Sequence, residues 1–188
     1  MMIRPAGCIA HRRFAALAAC VLAAAASACG REAETPATPA ASFVYRVRGD
    51  LERTIRGSGA KAGPASVPGA GEVWSLELSG GTGNESGAVA LITRTGPPDP
   101  GTHALSDATT PAALEDGELG LFVLLSPDQP GDRFIGAAST GEVTLEKADG
   151  TLAGTLSATV GGQVYPEAEE SRDGTLELTG SFTVPVAP

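Results

Sequence analysis

From Phe43 onward the chain alternates apolar and polar residues with a period of two, the signature of half-buried β-strands. Phe43, Tyr45, Val47, Leu51 and Ile55 share one parity, and Arg46, Arg48, Asp50, Glu52 and Thr54 the other, which predicts one long strand. Trp74, Leu76 and Leu78 alternate with Ser75, Glu77 and Ser79, and Ala88–Arg94 follows after the turn-rich link Gly80-Gly81-Thr82-Gly83-Asn84. Leu119–Leu125 is almost continuously apolar, as expected of a strand buried on both faces. Arg133–Ala138 and Glu142–Glu146 read as two shorter strands.

The last two strands carry the clearest alternation. Leu152, Gly154, Leu156, Ala158 and Val160 share one face, as do Leu176, Leu178, Gly180, Phe182 and Val184. Asp149-Gly150 suits the positive-φ demands of a tight hairpin between Glu142–Glu146 and Thr151–Val160. The two strands resemble each other, each led by Asp-Gly-Thr-Leu, which similar strand chemistry explains more simply than a repeat. Their inward glycines, Gly154 and Gly180, predict a bulge or a close neighbour.

Helix is scarce. Thr110-Pro111-Ala112-Ala113-Leu114-Glu115-Asp116-Gly117 has a capping threonine, a first-turn proline and a closing glycine, enough for one or two turns. The fold class is therefore all-β. The expected architecture is a single antiparallel β-sandwich of about eight or nine strands, with a partly closed β-barrel as the alternative. Arg56–Gly71, rich in glycine, alanine, proline and serine, reads as a long loop at an open edge.

The N-terminal end is organised differently. Arg4, Arg12 and Arg13 precede an apolar run from Phe14 to Ala28, the layout of a secretory signal. That run of 15 residues is mostly alanine. It is shorter than the about 20 residues a membrane-spanning helix needs. Ala26-Ser27-Ala28-Cys29-Gly30 then resembles the lipobox of bacterial lipoproteins, with Ala26 where that motif usually has leucine. The resemblance implies cleavage between Ala28 and Cys29 and thioether diacylglycerol on Cys29. The string Leu17-Ala18-Ala19-Cys20 is a cleaner match, but only three apolar residues would precede a cut there.

Three domains follow: 1–28, a lipoprotein signal peptide; 29–42, the lipidated cysteine and an Ala/Pro/Thr-rich tether; 43–188, the β domain. The whole plan, closing on Gly180-Ser181-Phe182, is similar to small bacterial lipoproteins. It implies a cell-envelope location, attachment to the membrane through lipid on Cys29, and no catalytic residue. Gly30 is not the aspartate associated with inner-membrane retention, so the outer membrane facing the periplasm is the expected location. If extended, the 12 residues from Gly30 to Ala41 would reach roughly 40 Å at about 3.1 Å each.

Composition narrows the chemistry. Cys8, Cys20 and Cys29 are the only cysteines, so the mature β domain has no thiol for a disulfide, a nucleophile or a metal. The leader holds three of the 13 basic residues and none of the 22 acidic ones; the mature chain thus carries ten bases against 22 acids, a net −12. This argues against nucleic acid, whose binding needs phosphate neutralisation. No cofactor is implied.

Candidate sites are few. Glu167, Glu169, Glu170 and Asp173 crowd the loop Gly161–Gly174 and are weak candidates for Ca²⁺, which takes six to eight oxygen ligands, or for a basic partner. Asp116, Asp128 and Asp132 are scattered. His103, the only histidine after the leader, could serve a small hydrolase. Ala137-Ala138-Ser139-Thr140-Gly141 is one residue short of a nucleophile elbow, but strand follows it where a helix is needed. Trp74 shares the face of Leu76 and Leu78 and reads as core, which leaves Tyr165 as the exposed aromatic. Arg48-Gly49-Asp50 falls inside the first strand and reads as chance. The function these features imply is a lipid-anchored envelope protein with a non-enzymatic binding or structural role.

Overall fold

The computed structural model describes residues 40–126 and 131–186. Within the compact unit Ala37–Pro188, ten antiparallel strands form one continuous, strongly curled sheet. They are β1 (Ser42–Gly49), β2 (Arg53–Gly57), β3 (Gly59–Val67), β4 (Gly71–Gly80), β5 (Gly87–Thr93), β6 (Gly101–Ala104), β7 (Gly120–Leu125), β8 (Arg133–Ala148), β9 (Thr151–Tyr165) and β10 (Arg172–Pro185). The order is β2-β1-β10-β9-β8-β7-β5-β4-β3, with β6 beside the second half of β8.

The all-β expectation holds, and the curl has features of both expected architectures. Opposed parts of the sheet face each other across one core, as in a sandwich. The two ends also approach, as in a partly closed barrel. β2 and β3 lie at opposite ends of the path, yet Ser58 alone separates them in the chain. The Gly81 N–H donates to the Arg56 carbonyl at 3.0 Å, stitching the two ends together.

The inward parity is the one the sequence marks. Tyr45, Ile55, Leu76, Leu78, Val89, Leu91, Leu121, Leu125 and Leu178 are all nearly inaccessible. Aromatic rings in this core lie over glycines, because a missing Cβ leaves room for a flat ring. A Cβ on Gly154 would stand 2.6 Å from the Phe182 ring, and one on Gly180 would stand 2.7 Å from Tyr45 Cβ. Gly57 and Gly80 make the same room for Phe43, which stacks on Tyr45 at 5.5 Å. The close-neighbour reading of Gly154 and Gly180 is thus correct. Among the described residues the Tyr45 hydroxyl has no hydrogen-bond partner, and burial pushes its pKa up.

Several local expectations are corrected. The single strand from Phe43 to Ile55 is a hairpin, whose register of Val47 to Arg53 keeps both arms on one parity. Arg48-Gly49-Asp50 therefore sits where β1 enters a turn, with Gly49 at φ +122°. The loop expected at 56–71 is mostly β3, an edge strand whose Lys61 and Pro64 discourage further pairing. Arg133–Ala138 and Glu142–Glu146 are one strand, β8, with a register shift between Ala138 and Thr140. The extra residue, Ser139, switches the inward parity from Phe134 and Ala138 to Val143 and Leu145. The loop expected at 161–174 shrinks to 166–171, because β9 and β10 extend into it. The helical turn near Thr110 is a 3-10 turn, Pro111–Ala113. The Asp149-Gly150 turn is as expected, with φ values of 47° and 73°.

Asp50 ties the first turn to β10. Its carboxylate accepts the Thr175 N–H at 2.8 Å and pairs with Arg172 at 2.7 Å. The Thr175 N–H, then Arg172, hold its pKa below the usual carboxylate range. A carboxylate depressed in the folded state stabilises above its unfolded pKa, about 3.9, and that contribution fades as pH falls through the folded value. Urea titrations should therefore show Asp50→Asn less stable than wild type at pH 7, with the gap closing at low pH. A gap independent of pH would contradict this role for the carboxylate.

Candidate functional site

On a sheet curled around a core, outward residues should be polar. Two neighbouring rows across the strands break that rule. One row runs Glu77–Ala90–Phe122–Ala137–Gly161–Thr175 through directly paired positions on β4, β5, β7, β8, β9 and β10. The next runs Ser79–Ala88–Leu124–Ile135–Gln163–Asp173. In both rows the middle is apolar and the ends are polar. Leu124 and Ile135 are 45% and 54% exposed, large apolar side chains left in water.

The chain between β6 and β7 forms one wall. Residues 105–119 leave the sheet and return, closed by Leu105 pairing Leu119 in parallel and by the Ser106 N–H donating to the Leu119 carbonyl at 2.9 Å. Glu118 pins this strap by accepting from Ser106 Oγ at 3.0 Å and from the Glu115 N–H at 2.8 Å. The strap buries Leu114 against Val73 and Ile92, a second small core on the outer face, with Phe122 packed at its border. Arg94 donates to the Leu114 carbonyl at 3.1 Å and locks it down.

The strap covers only part of the apolar surface. Beside it lies an open groove of about 910 Å³, floored by the two rows and walled by Asp107 and Thr109–Pro111. A Cβ on Gly161 would meet nothing within 4 Å, so the floor is open above that residue. The charged lining residues are Glu77, Asp107 and Asp173, all acids. Arg133 stands one row further out, opposite Tyr165, and does not line the groove.

The residues singled out in the sequence are not gathered here, with two exceptions. Asp173 lies on β10 at the groove's end, accepting a hydrogen bond from the Gln163 amide. Ser139 lines the groove as the bulge residue and donates to the Thr159 carbonyl at 3.2 Å. Glu167, Glu169 and Glu170 are exposed in the short 166–171 loop. His103 lies on β6 opposite Val143, and its Nε2–H donates to the Asp99 carbonyl at 2.7 Å. Asp116 is exposed in the strap, and the Asp132 carbonyl accepts from Arg53. Trp74 is core and Tyr165 is exposed, as expected. Ala28, Cys29 and Asp128 lie outside the described residues. Among the described residues no three His, Cys, Asp or Glu side chains are grouped to hold a metal ion.

Sequence reasoning missed Phe122, Leu124, Ile135 and Ala137. The signal was present, since Leu119–Leu125 is apolar at every position but Gly120. The expectation of burial on both faces is corrected: Leu121, Val123 and Leu125 face the core, Phe122 is half-buried, and Leu124 is exposed. No protein-family model matches this chain, and no curated protein or solved structure matches it.

Proposed function

We propose that this chain is a lipid-anchored protein of the bacterial cell envelope, non-enzymatic, that binds a partner in its outer-face groove. The observation that carries the binding role is the apolar middle of the double row, where Leu124 and Ile135 stand exposed on the outer face beside half-buried Ala88, Ala90 and Phe122. Contiguous exposed apolar surface rimmed by polar groups marks interaction sites. The anchoring half rests on Ala26-Ser27-Ala28-Cys29-Gly30 after a basic, apolar leader.

The fold suits a tethered module. The described chain enters at Ser42, paired with Thr183 near the end of β10, beside the Asp149-Gly150 turn. The 166–171 loop lies at the other end of β9 and β10, away from Ser42. With a tether of roughly 40 Å the groove would be free of the bilayer. Two or more acyl chains, each buried CH₂ giving about 0.8 kcal/mol, make such attachment stable.

The test is metabolic labelling with a fatty acid analogue, followed by fractionation. Label on the wild type and its loss, with release from the membrane fraction, in Cys29→Ala is the expected result. An unlabelled wild type, or a Cys29→Ala chain held as firmly as before, would refute the anchor. Turnover of an ester, peptide or glycoside, abolished by His103→Ala or Ser139→Ala, would refute the non-enzymatic role.

A further inference from the structure

The dimensions and charge of the groove define what it can hold. Six strands at about 4.8 Å spacing give the double row a path of roughly 24 Å along the curled sheet, of which its apolar middle on β5, β7 and β8 takes about 10 Å. It runs across the strands, in the middle of the sheet. The six strands that carry it are all internal to the sheet order, so a partner cannot add there as a further strand. Recognition must come from side chains.

The groove is also open on its outer side, with a floor and one strap wall. A bare acyl chain lying there would keep about half of its surface in water and gain little of its possible burial energy. An amphipathic helix has only one face to bury, and a helix of about 16 residues, roughly 24 Å long, can set its middle turns on the apolar strands and its ends near the acids of the rim. The rim sets the sign of its polar residues. Glu77 closes one end, Asp173 the other, and Asp107 stands on the wall; among the described residues no base lines the groove.

From this match we propose that the groove seats a basic amphipathic helix of another protein, laid across β4 to β10. Its apolar face rests on Phe122, Leu124 and Ile135, and its lysines and arginines face Glu77, Asp107 and Asp173. The chain's net −12 after cleavage draws such a partner in. This inference rests on the proposed role of the groove as a binding surface, and identifies the partner chemistry for it.

The test uses residues Ala37–Pro188, which contain the whole described core, after a cooperative thermal melt shows that this piece folds. The probes are a leucine/lysine peptide of about 16 residues with helical periodicity, its leucine/glutamate counterpart, a scrambled leucine/lysine peptide, and dodecylamine. Nile red, uncharged and apolar, reports separately whether the groove takes apolar matter at all. Gly161→Trp fills the groove where a side chain meets no atom, and circular dichroism checks that it remains folded. Glu77→Lys with Asp107→Lys reverses the rim on two exposed side chains.

The expected result is leucine/lysine binding at least about tenfold tighter than the other three probes, weakened by salt. Gly161→Trp should abolish it, and the rim reversal should shift preference towards leucine/glutamate. Equal binding of both charge types, binding of the scrambled peptide or dodecylamine at full strength, or binding indifferent to Gly161→Trp would overturn the helix proposal. If Nile red still binds wild type and not Gly161→Trp, the groove remains a binding surface and only its partner was misassigned. If Nile red fails too, the binding role itself falls.

Discussion

Gly162→Val is expected to destabilise the domain by about 3 kcal/mol or more, while Gly161→Val, one residue away, leaves stability nearly unchanged. The two glycines face opposite sides of β9. Gly162 points inward, paired with Gly136 across the β8–β9 ladder. A Cβ there would overlap the Ile135 carbonyl oxygen, stand 2.6 Å from Gly136 Cα and 2.8 Å from the Phe134 ring. Two of those atoms are backbone in the centre of a sheet, so relief requires two strands to separate. Gly161 points outward into the groove, where a Cβ meets nothing within 4 Å. Neither glycine has positive φ, so neither needs glycine for its backbone conformation. Valine at Gly161 would if anything gain from its strand preference. At roughly 3 °C per kcal/mol for a domain of this size, the melting temperatures of the two variants should differ by about 10 °C. Similar melting temperatures would show that the sheet is not packed this closely at Gly136 and Gly162.

Phe134→Ala should cost about 3–5 kcal/mol, the usual range for a buried phenylalanine replaced by alanine. Phe134 is fully buried, and its ring lies beneath Gly136 and Gly162 and reaches towards Gly174, in the span where β8, β9 and β10 run side by side. These three glycines can shield a cavity only with backbone. The vacated space is therefore hard to fill by rotamer changes, which puts the cost towards the top of the range. For a domain stable by about 5–15 kcal/mol, that is a third or more of the total. Urea unfolding measures it. A cost below about 1 kcal/mol would mean that the ring is not the centre of the packing in this region. The same geometry predicts that Phe134→Ala does not rescue Gly162→Val. The ring is only one of three obstacles, and the Ile135 oxygen and Gly136 Cα remain.

The lesson of β7 concerns how an apolar run is read. Leu119–Leu125 announces a strand with two apolar faces, and it has them. Burial on both faces is what such a run has when helices or a second layer cover the strand. Here the covering element is the strap, which carries Leu114 over Val73 and Ile92 and stops at Phe122. Leu124 and Ile135 lie beyond its reach. Nothing local to 119–125 says where a segment 105–119 will end its crossing. The acidic residues teach the converse. Glu167, Glu169, Glu170 and Asp173 are neighbours in sequence, yet Asp173 belongs to β10 and is bonded to Gln163, while the others project into solvent. Glu77, 96 residues from Asp173 in the numbering, shares a groove with it.

Sequence by itself determined the all-β class, the inward faces of β1, β4, β9 and β10, and the tight Asp149-Gly150 turn. Each depends on residues close together in the chain: side chains two apart share a face, and turn residues set their own φ. The parity of Phe43, Tyr45, Val47 and Ile55 is right although a hairpin interrupts the expected single strand, because the odd number of residues between the paired Val47 and Arg53 returns the chain in phase. Tertiary structure decided the rest: that β2 and β3 sit at opposite ends of the sheet, that Ser139 bulges to reverse the parity of β8, and that β5, β7 and β8 align their outward apolar residues into one groove with Glu77 and Asp173 at its ends. Those outcomes depend on the register between strands far apart in the chain. Register is set by the packing of all of them together, which no single segment encodes.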